Sequence, residues 1–294
     1  MTAAKPSSAK RSRYGGRRFR NGLFIVLSIA AALFGMGWLA MILSTLLARG
    51  IEAIDPALFT EITPGPGEPG GGLVNAIAGS GLMIAISVLL GTPIGVLTGT
   101  YLAEYGRHTK LAGLIRNLND ILLSAPSIVI GLFVYQLLVL SMGHFSAMAG
   151  AFALAVIVIP VVVRTTENML LLIPNALREA ASALGAPTAH VIRLVTWKAA
   201  QSGIVTGILL AVARISGETA PLLFTALGNQ FWSVSLRQPI SALPLQIYNY
   251  AISPYDDQHS LAWAGALVLI GLVLGISIVA RFVTRSHGGS SHGD

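Results

Sequence analysis

Arg214 and Glu218 are the residues of this 294-residue chain that most need a chemical reason. They stand four apart in an apolar stretch running from about Ser202 to Leu227, so a single helix would place both on one face. Arg214 then lies roughly 18 Å and Glu218 roughly 24 Å along that helix, which puts Arg214 close to the middle of a membrane. An Arg at such depth costs roughly 2.5–3.5 kcal/mol, which makes function the default explanation. A guanidinium facing a polar pathway offers a planar fork to two anion oxygens, while the carboxylate either steadies the fork or accepts a proton borne by the anion. Hydrogen phosphate carries such a proton; sulfate does not. Thr219 adds a hydroxyl. The bland alternative is an internal ion pair that only locks packing. Arg164 and Glu167, three apart in the preceding apolar stretch, form a second pair about 26 Å along it, where interfacial snorkelling competes with a pathway role.

A second constellation lies between those two stretches, over residues 173–201. Pro174 suits the first turn of a helix of about ten residues, Gly185 suits its C-terminal cap, and Pro187 forbids continuation. Thr188 is placed to cap a second helix running through Lys198. On spacing alone this is an amphipathic surface hairpin. Glu179, Ala180, Ala181 and Gly185 add chemistry to it: small Ala side chains seat a short helix in a partner's groove, and Glu179 can pair with a basic residue there. The run Glu179-Ala180-Ala181, then Gly185, then Val195 resembles the EAA loop of ABC importer permeases, which implies docking on a separate ATPase. Val195-Thr196-Trp197-Lys198 stands where those loops usually read Ile-x-Leu-Pro. The chain has no G-x-x-x-x-G-K-[ST] phosphate loop, so ATP and Mg are expected in a partner, and no cofactor or metal in this chain.

The elements that must position these residues follow from composition. The chain is 54% hydrophobic and 11% charged, with a mean hydropathy of +0.73, too apolar for a water-facing surface. It reads as an all-α integral membrane protein. About 20 apolar residues cross the hydrocarbon, and on that measure six spans emerge: Gly22–Ala48, Ile77–Leu102, Ile121–Leu140, Ala147–Leu172, Ser202–Leu227 and Leu261–Phe282. The third and fourth are forced apart because residues 121–163 carry no charge, and as one helix they would measure about 64 Å. The polar break from Ser141 to Ser146 supplies the hairpin. Pro93, Pro126, Pro160 and Pro221 fall inside spans and should kink or unwind them.

With both termini cytoplasmic, sixteen Lys and Arg fall inside and only Arg49 and Arg237 outside, a strong orientation signal. The net charge of +7 therefore points to anionic lipid and not to nucleic acid. The expected organisation is a basic, disordered tail over residues 1–21, a transmembrane domain over 22–282, and a tail over 283–294. Cysteine is absent, which excludes disulfides and thiolate chemistry. An intramembrane serine hydrolase could use Ser80 in Gly79-Ser80-Gly81, but no His lies in any span to act as its base. A membrane scaffold is the remaining alternative.

Residues 214–227 read Arg-Ile-Ser-Gly-Glu-Thr-Ala-Pro-Leu-Leu-Phe-Thr-Ala-Leu and are followed by Asn229-Gln230-Phe231-Trp232-Ser233. Together with Pro126-Ser127-Ile128-Val129-Ile130-Gly131 they resemble the PstA family, permeases of the phosphate-specific ABC transporter, over about Asn75 to Phe282. Ser216 stands where the family usually has another small residue. The resemblance implies a type I ABC importer permease in the bacterial inner membrane, working by alternating access. Its implied partners are a companion PstC-like permease, a PstB-like ATPase dimer and a periplasmic PstS-like phosphate-binding protein, received by the outer segment from Gly228 to Ser260. It also implies that Arg214 and Glu218, with Arg164 and Glu167, line the route of inorganic phosphate. A permease for sulfate or molybdate is the nearest alternative.

Overall fold

Helices account for nearly all of the regular structure in the computed structural model, which describes residues 8–107 and 109–288. In chain order they are α1 (Ser8–Glu52), α2 (Val74–Tyr105), α3 (Lys110–Ser124), α4 (Ser127–Met142) and α5 (Ala147–Leu171). There follow α6 (Asn175–Ala183), α7 (Thr188–Ile215), α8 (Ala220–Thr225), α9 (Leu243–Ala251) and α10 (Asp256–Gly288). Five of these can cross a membrane alone, and α3 with α4 makes a sixth as a bent pair. The helix up to Arg49 forms one unit and the chain from Gly50 another.

Three boundaries differ from the sequence expectation. The basic N-terminal segment, expected to be disordered, is helical from Ser8, while residues 1–7 lie outside the described residues. Span three does not begin at Ile121: α3 starts at Lys110 and turns by 104° into α4. Pro126 causes that bend, because a residue before proline avoids the helical region, and Ala125 is accordingly extended at ψ 133°. Span five likewise stops at Ile215 and restarts at Ala220. Pro221 has no N–H to give and its ring would clash with the carbonyl four residues back, so it is accommodated only in the first turn of α8. Helices α2 and α5 run on through Pro93 and Pro160.

In the larger unit α5 is the centre. Its most apolar stretch is 67% buried, against 22% for α2 and 17% for α10. The seam between α2 and α5 explains how they approach so closely. Gly91, Gly95 and Gly99 recur every fourth residue on α2 and meet Val158, Val162 and Thr166 at the same interval on α5. Both series ascend together, so the two helices are parallel, as spans two and four must be in a six-span chain. In lipid, apolar side chains gain nothing by leaving their surroundings for each other, and small residues that let backbones touch supply the attraction. A Cβ on Gly95 would lie 2.7 Å from the Cβ of Val162.

Around this seam Met83, Leu154, Val158, Ile215, Leu222 and Leu245 close the core. At the outer end the backbone groups that begin α5 are satisfied from the loop after α8: Ala147 N–H donates to Gln238 C=O at 3.0 Å and Met148 N–H to Leu236 C=O at 2.9 Å. Replacing Gly95 by Leu should lower stability by about 1–3 kcal/mol through overpacking. Gly113→Leu, where nothing stands within 4 Å, should change it little. Thermal unfolding of the two purified variants in detergent separates these outcomes.

Candidate functional site

Arg214 lies in the last turn of α7, and the helix ends one residue later. The expected i,i+4 pairing on one helix is therefore not made: Glu218 sits in the break between α7 and α8, and no salt bridge joins the two among the described residues. What stabilises the cation instead is the helix end, whose unsatisfied carbonyls carry partial negative charge. Arg214 is exposed on a face shared with Leu210 and Gly217, while Glu218 and Thr219 are half-buried. The break itself is seated against α4, where Gly131 approaches Pro221 so closely that a Cβ would come within 2.6 Å of the proline Cα. The two segments that looked distinctive in sequence, 126–131 and 214–227, thus pack on each other.

Arg164 and Glu167 do not pair with each other either. Glu167, 3% exposed, accepts from Arg116 Nε of α3 at 2.7 Å, and the same guanidinium reaches Leu102 C=O at 3.0 Å. Arg164 stands 3.7 Å from Asp120, with both side chains about half exposed. Arg116 and Asp120 on α3 therefore face Glu167 and Arg164 on α5 as two antiparallel crossed pairs. Glu167 is engaged in a buried lock between helices, whereas Arg164 is loosely held and open.

The loop over residues 173–201 has the expected turn and a different second half. Gly185 adopts φ +82°, a conformation that side chains other than glycine resist, and so closes α6. Thr188 makes no side-chain cap; Pro187 occupies that place, and the helix after it does not end at Lys198 but runs on into span five. Between Val191 and Thr196 its hydrogen bonds widen to five residues, Trp197 N–H donating to Ile192 C=O. Glu179 and Ala180 are exposed and Ala181 is half-buried. Of the carboxylates expected on the inner side, Glu104, Asp120 and Glu167 each hold an Arg, and Glu179 has no ion pair within this chain among the described residues.

Sequence reasoning missed Arg116, Asp120, Glu104 and Arg178, counting the basic ones only as inner charge. A signal was present: an acid among inner loops rich in Arg needs a partner, and Glu104 closes a long uncharged run.

At the outer side, a cavity of about 430 Å³ opens between the loop at Leu227–Gln230, α9 and the start of α10. Its polar lining is uncharged, including Asn229, Gln246 and Gln258. Tyr250 donates to Pro64 C=O at 3.0 Å, and burial pushes its phenol up to about 12. Phe231, Trp232 and Val234 project exposed beside this region. Ser80 Oγ accepts the N–H of Leu243 at 2.7 Å, so that hydroxyl oxygen serves the start of α9.

Residues 91–287 match the family model described as "Binding-protein-dependent transport system inner membrane component". The phosphate transport system permease protein PstA of Pasteurella multocida (strain Pm70) is 57% identical over 90% of this chain and 94% of its own length. The probable phosphate transport system permease protein PstA of Methanocaldococcus jannaschii is 36% identical over 92% and 95%. Among solved structures, an inward-facing MetNI methionine ABC transporter gives a TM-score of 0.61 at 23% identity, covering 72% of this chain and 95% of that one. A bacterial alginate ABC transporter gives 0.62 at 14%, covering 92% and 96%, a likeness of fold alone.

The two charge pairs predict different responses. Glu167→Ala leaves Arg116 partly buried without its partner and should cost about 3 kcal/mol. Arg164→Ala removes an exposed pair and should cost under about 1 kcal/mol. Thermal unfolding of the purified variants checks both.

Proposed function

The chain belongs to the family of binding-protein-dependent transport system inner membrane components and, within it, to the PstA permeases, and from that premise we propose that it imports inorganic phosphate as one transmembrane subunit of an ATP-driven transporter. It is a multi-pass inner-membrane protein that works with an ATPase and an extracytoplasmic binding protein. The observation that carries the substrate is the 57% identity to a phosphate permease across nearly the whole chain. The sulfate or molybdate alternative has no comparable support. An intramembrane hydrolase is not favoured, because the relatives named above are transport permeases.

In this reading Arg214 is a transient anion site. It is presented at a broken span, is exposed on this chain, and holds no salt bridge among the described residues, so its fork is available to two phosphate oxygens. Weak holding suits it, since an importer must release what it binds. Glu218 and Thr219, half-buried in the same break, supply a proton acceptor and a hydroxyl within the segment that carries Arg214. Arg164 supports a second, inner contact, because its partner Asp120 is 3.7 Å away and can be exchanged for a passing anion. Glu167 leaves the pathway and becomes the anchor of Arg116.

The ATPase, a PstB-like dimer, docks on α6. Support comes from Glu179, without an ion pair among the described residues, and from Leu177 and Leu184, which are 47% and 90% exposed on the same short helix and its cap. An exposed apolar pair flanking a free carboxylate fits a groove with a basic rim. A PstC-like permease completes the route, and the exposed Phe231, Trp232 and Val234 receive a PstS-like binding protein.

Two substitutions test these assignments in the assembled complex reconstituted into vesicles. Arg214→Gln should cut ATP-driven phosphate uptake roughly ten- to hundredfold, the scale of one lost charged hydrogen bond. Unchanged uptake removes Arg214 from the route. Glu179→Arg should abolish copurification of the ATPase, and retention of a stoichiometric ATPase would refute that docking surface.

A further inference from the structure

Arg178 immediately precedes the docking residues, yet it turns the other way. Its side chain is 14% exposed and pairs with Glu104 of α2, itself 7% exposed. Every N–H of the guanidinium is used. Nε donates to Glu104 Oε2 at 3.1 Å, and Nη2 to Glu104 Oε1 at 2.7 Å and to Leu170 C=O at 2.8 Å. Nη1 donates to Ile173 C=O and, at 3.4 Å, to Asn175 Oδ1. One side chain thus ties together the inner end of α2, the last carbonyls of α5 and the start of α6.

Few other contacts hold α6. The helix has nine residues and no buried one, too short to stand on its own propensity. It touches the first turns of α7, and Arg107 adds a bond from Nη1 to Asn175 Oδ1 at 3.4 Å. Glu104 is turned toward Arg178 by a widened turn at the end of α2, where Gly106 N–H reaches back five residues to Tyr101 C=O at 2.7 Å. Lysine could not replace this arrangement, since an ammonium has three donors and no planar fork.

We propose that Arg178 is the positioning residue that couples transport to ATP hydrolysis: it makes α6 and the inner ends of α2 and α5 one mechanical body. Movement of the docking helix then displaces two spans together, and their parallel glycine seam carries the displacement outward. The inference rests on the importer reading above, with Glu179 holding the ATPase on one side of α6 and Arg178 holding the spans on the other.

The test compares Arg178→Lys and Glu104→Gln with the parent in the complete complex in vesicles. Phosphate uptake per ATP hydrolysed should fall about tenfold or more, a size typical of coupling between sites, while ATP is still hydrolysed. Because the chain has no cysteine, spin labels placed on cysteines at Ala183 and Leu97 report the α6 to α2 distance. That distance should stay fixed through the nucleotide cycle in the parent and vary in Arg178→Lys. Unchanged uptake per ATP, or a distance that stays fixed in the variant, overturns the proposal. If neither variant assembles, Arg178 is a folding residue and the proposal also fails. A parent complex without ATP-driven uptake would instead sink the importer reading, and the distance measurement alone would then decide the role of Arg178.

Discussion

The contact on which everything else is arranged is the close approach of α2 and α5 along Gly91, Gly95 and Gly99. Side-chain burial contributes little to helix association in lipid, so backbone proximity has to be written into the sequence. Once these helices lie parallel and nearly touching, their inner ends are neighbours. Glu104 and the carbonyl of Leu170 then fall within reach of a single guanidinium. Leu102 and Glu167 likewise fall within reach of Arg116. The charged network on the cytoplasmic side is a consequence of the glycine seam and not an independent feature.

That network sorts the ionic residues by task. A buried pair with all its hydrogen bonds made gives a defined geometry at little net gain in stability, whereas a half-exposed pair is held weakly and is easily exchanged. Arg178 with Glu104 is of the first kind and Arg164 with Asp120 of the second; Arg116, 28% exposed and making two hydrogen bonds, lies between them although its partner Glu167 is buried. Arg214 and Glu179 have no ion pair among the described residues.

Much of this was legible before any coordinates. Uncharged length located spans one, two, four and six and the hairpin at Ser141–Ser146, where Gly143 is left-handed and Ser146 caps α5. Pro126 and Pro221 announced the two breaks. Sequence spacing failed where it assumed that the helix continued: the Arg214 and Glu218 pair needed an unbroken span, and Pro221 had already denied it. It failed also for Glu167, because a neighbour three residues away is visible in a sequence and a partner fifty residues away on α3 is not. The distance in chain, and nothing about the residues themselves, concealed the crossed pairs.

The bend at Pro126 has an effect on the solvent. Helix α4, Ser127–Met142, is about 24 Å long, shorter than a hydrocarbon layer of roughly 30 Å. A hydrophobic stretch this short is accommodated by thinning of the bilayer, by snorkelling of flanking residues or by packing on another subunit. Gly131 and Pro221 join that short helix to the break carrying Arg214, so whichever adjustment is made is made beside the guanidinium.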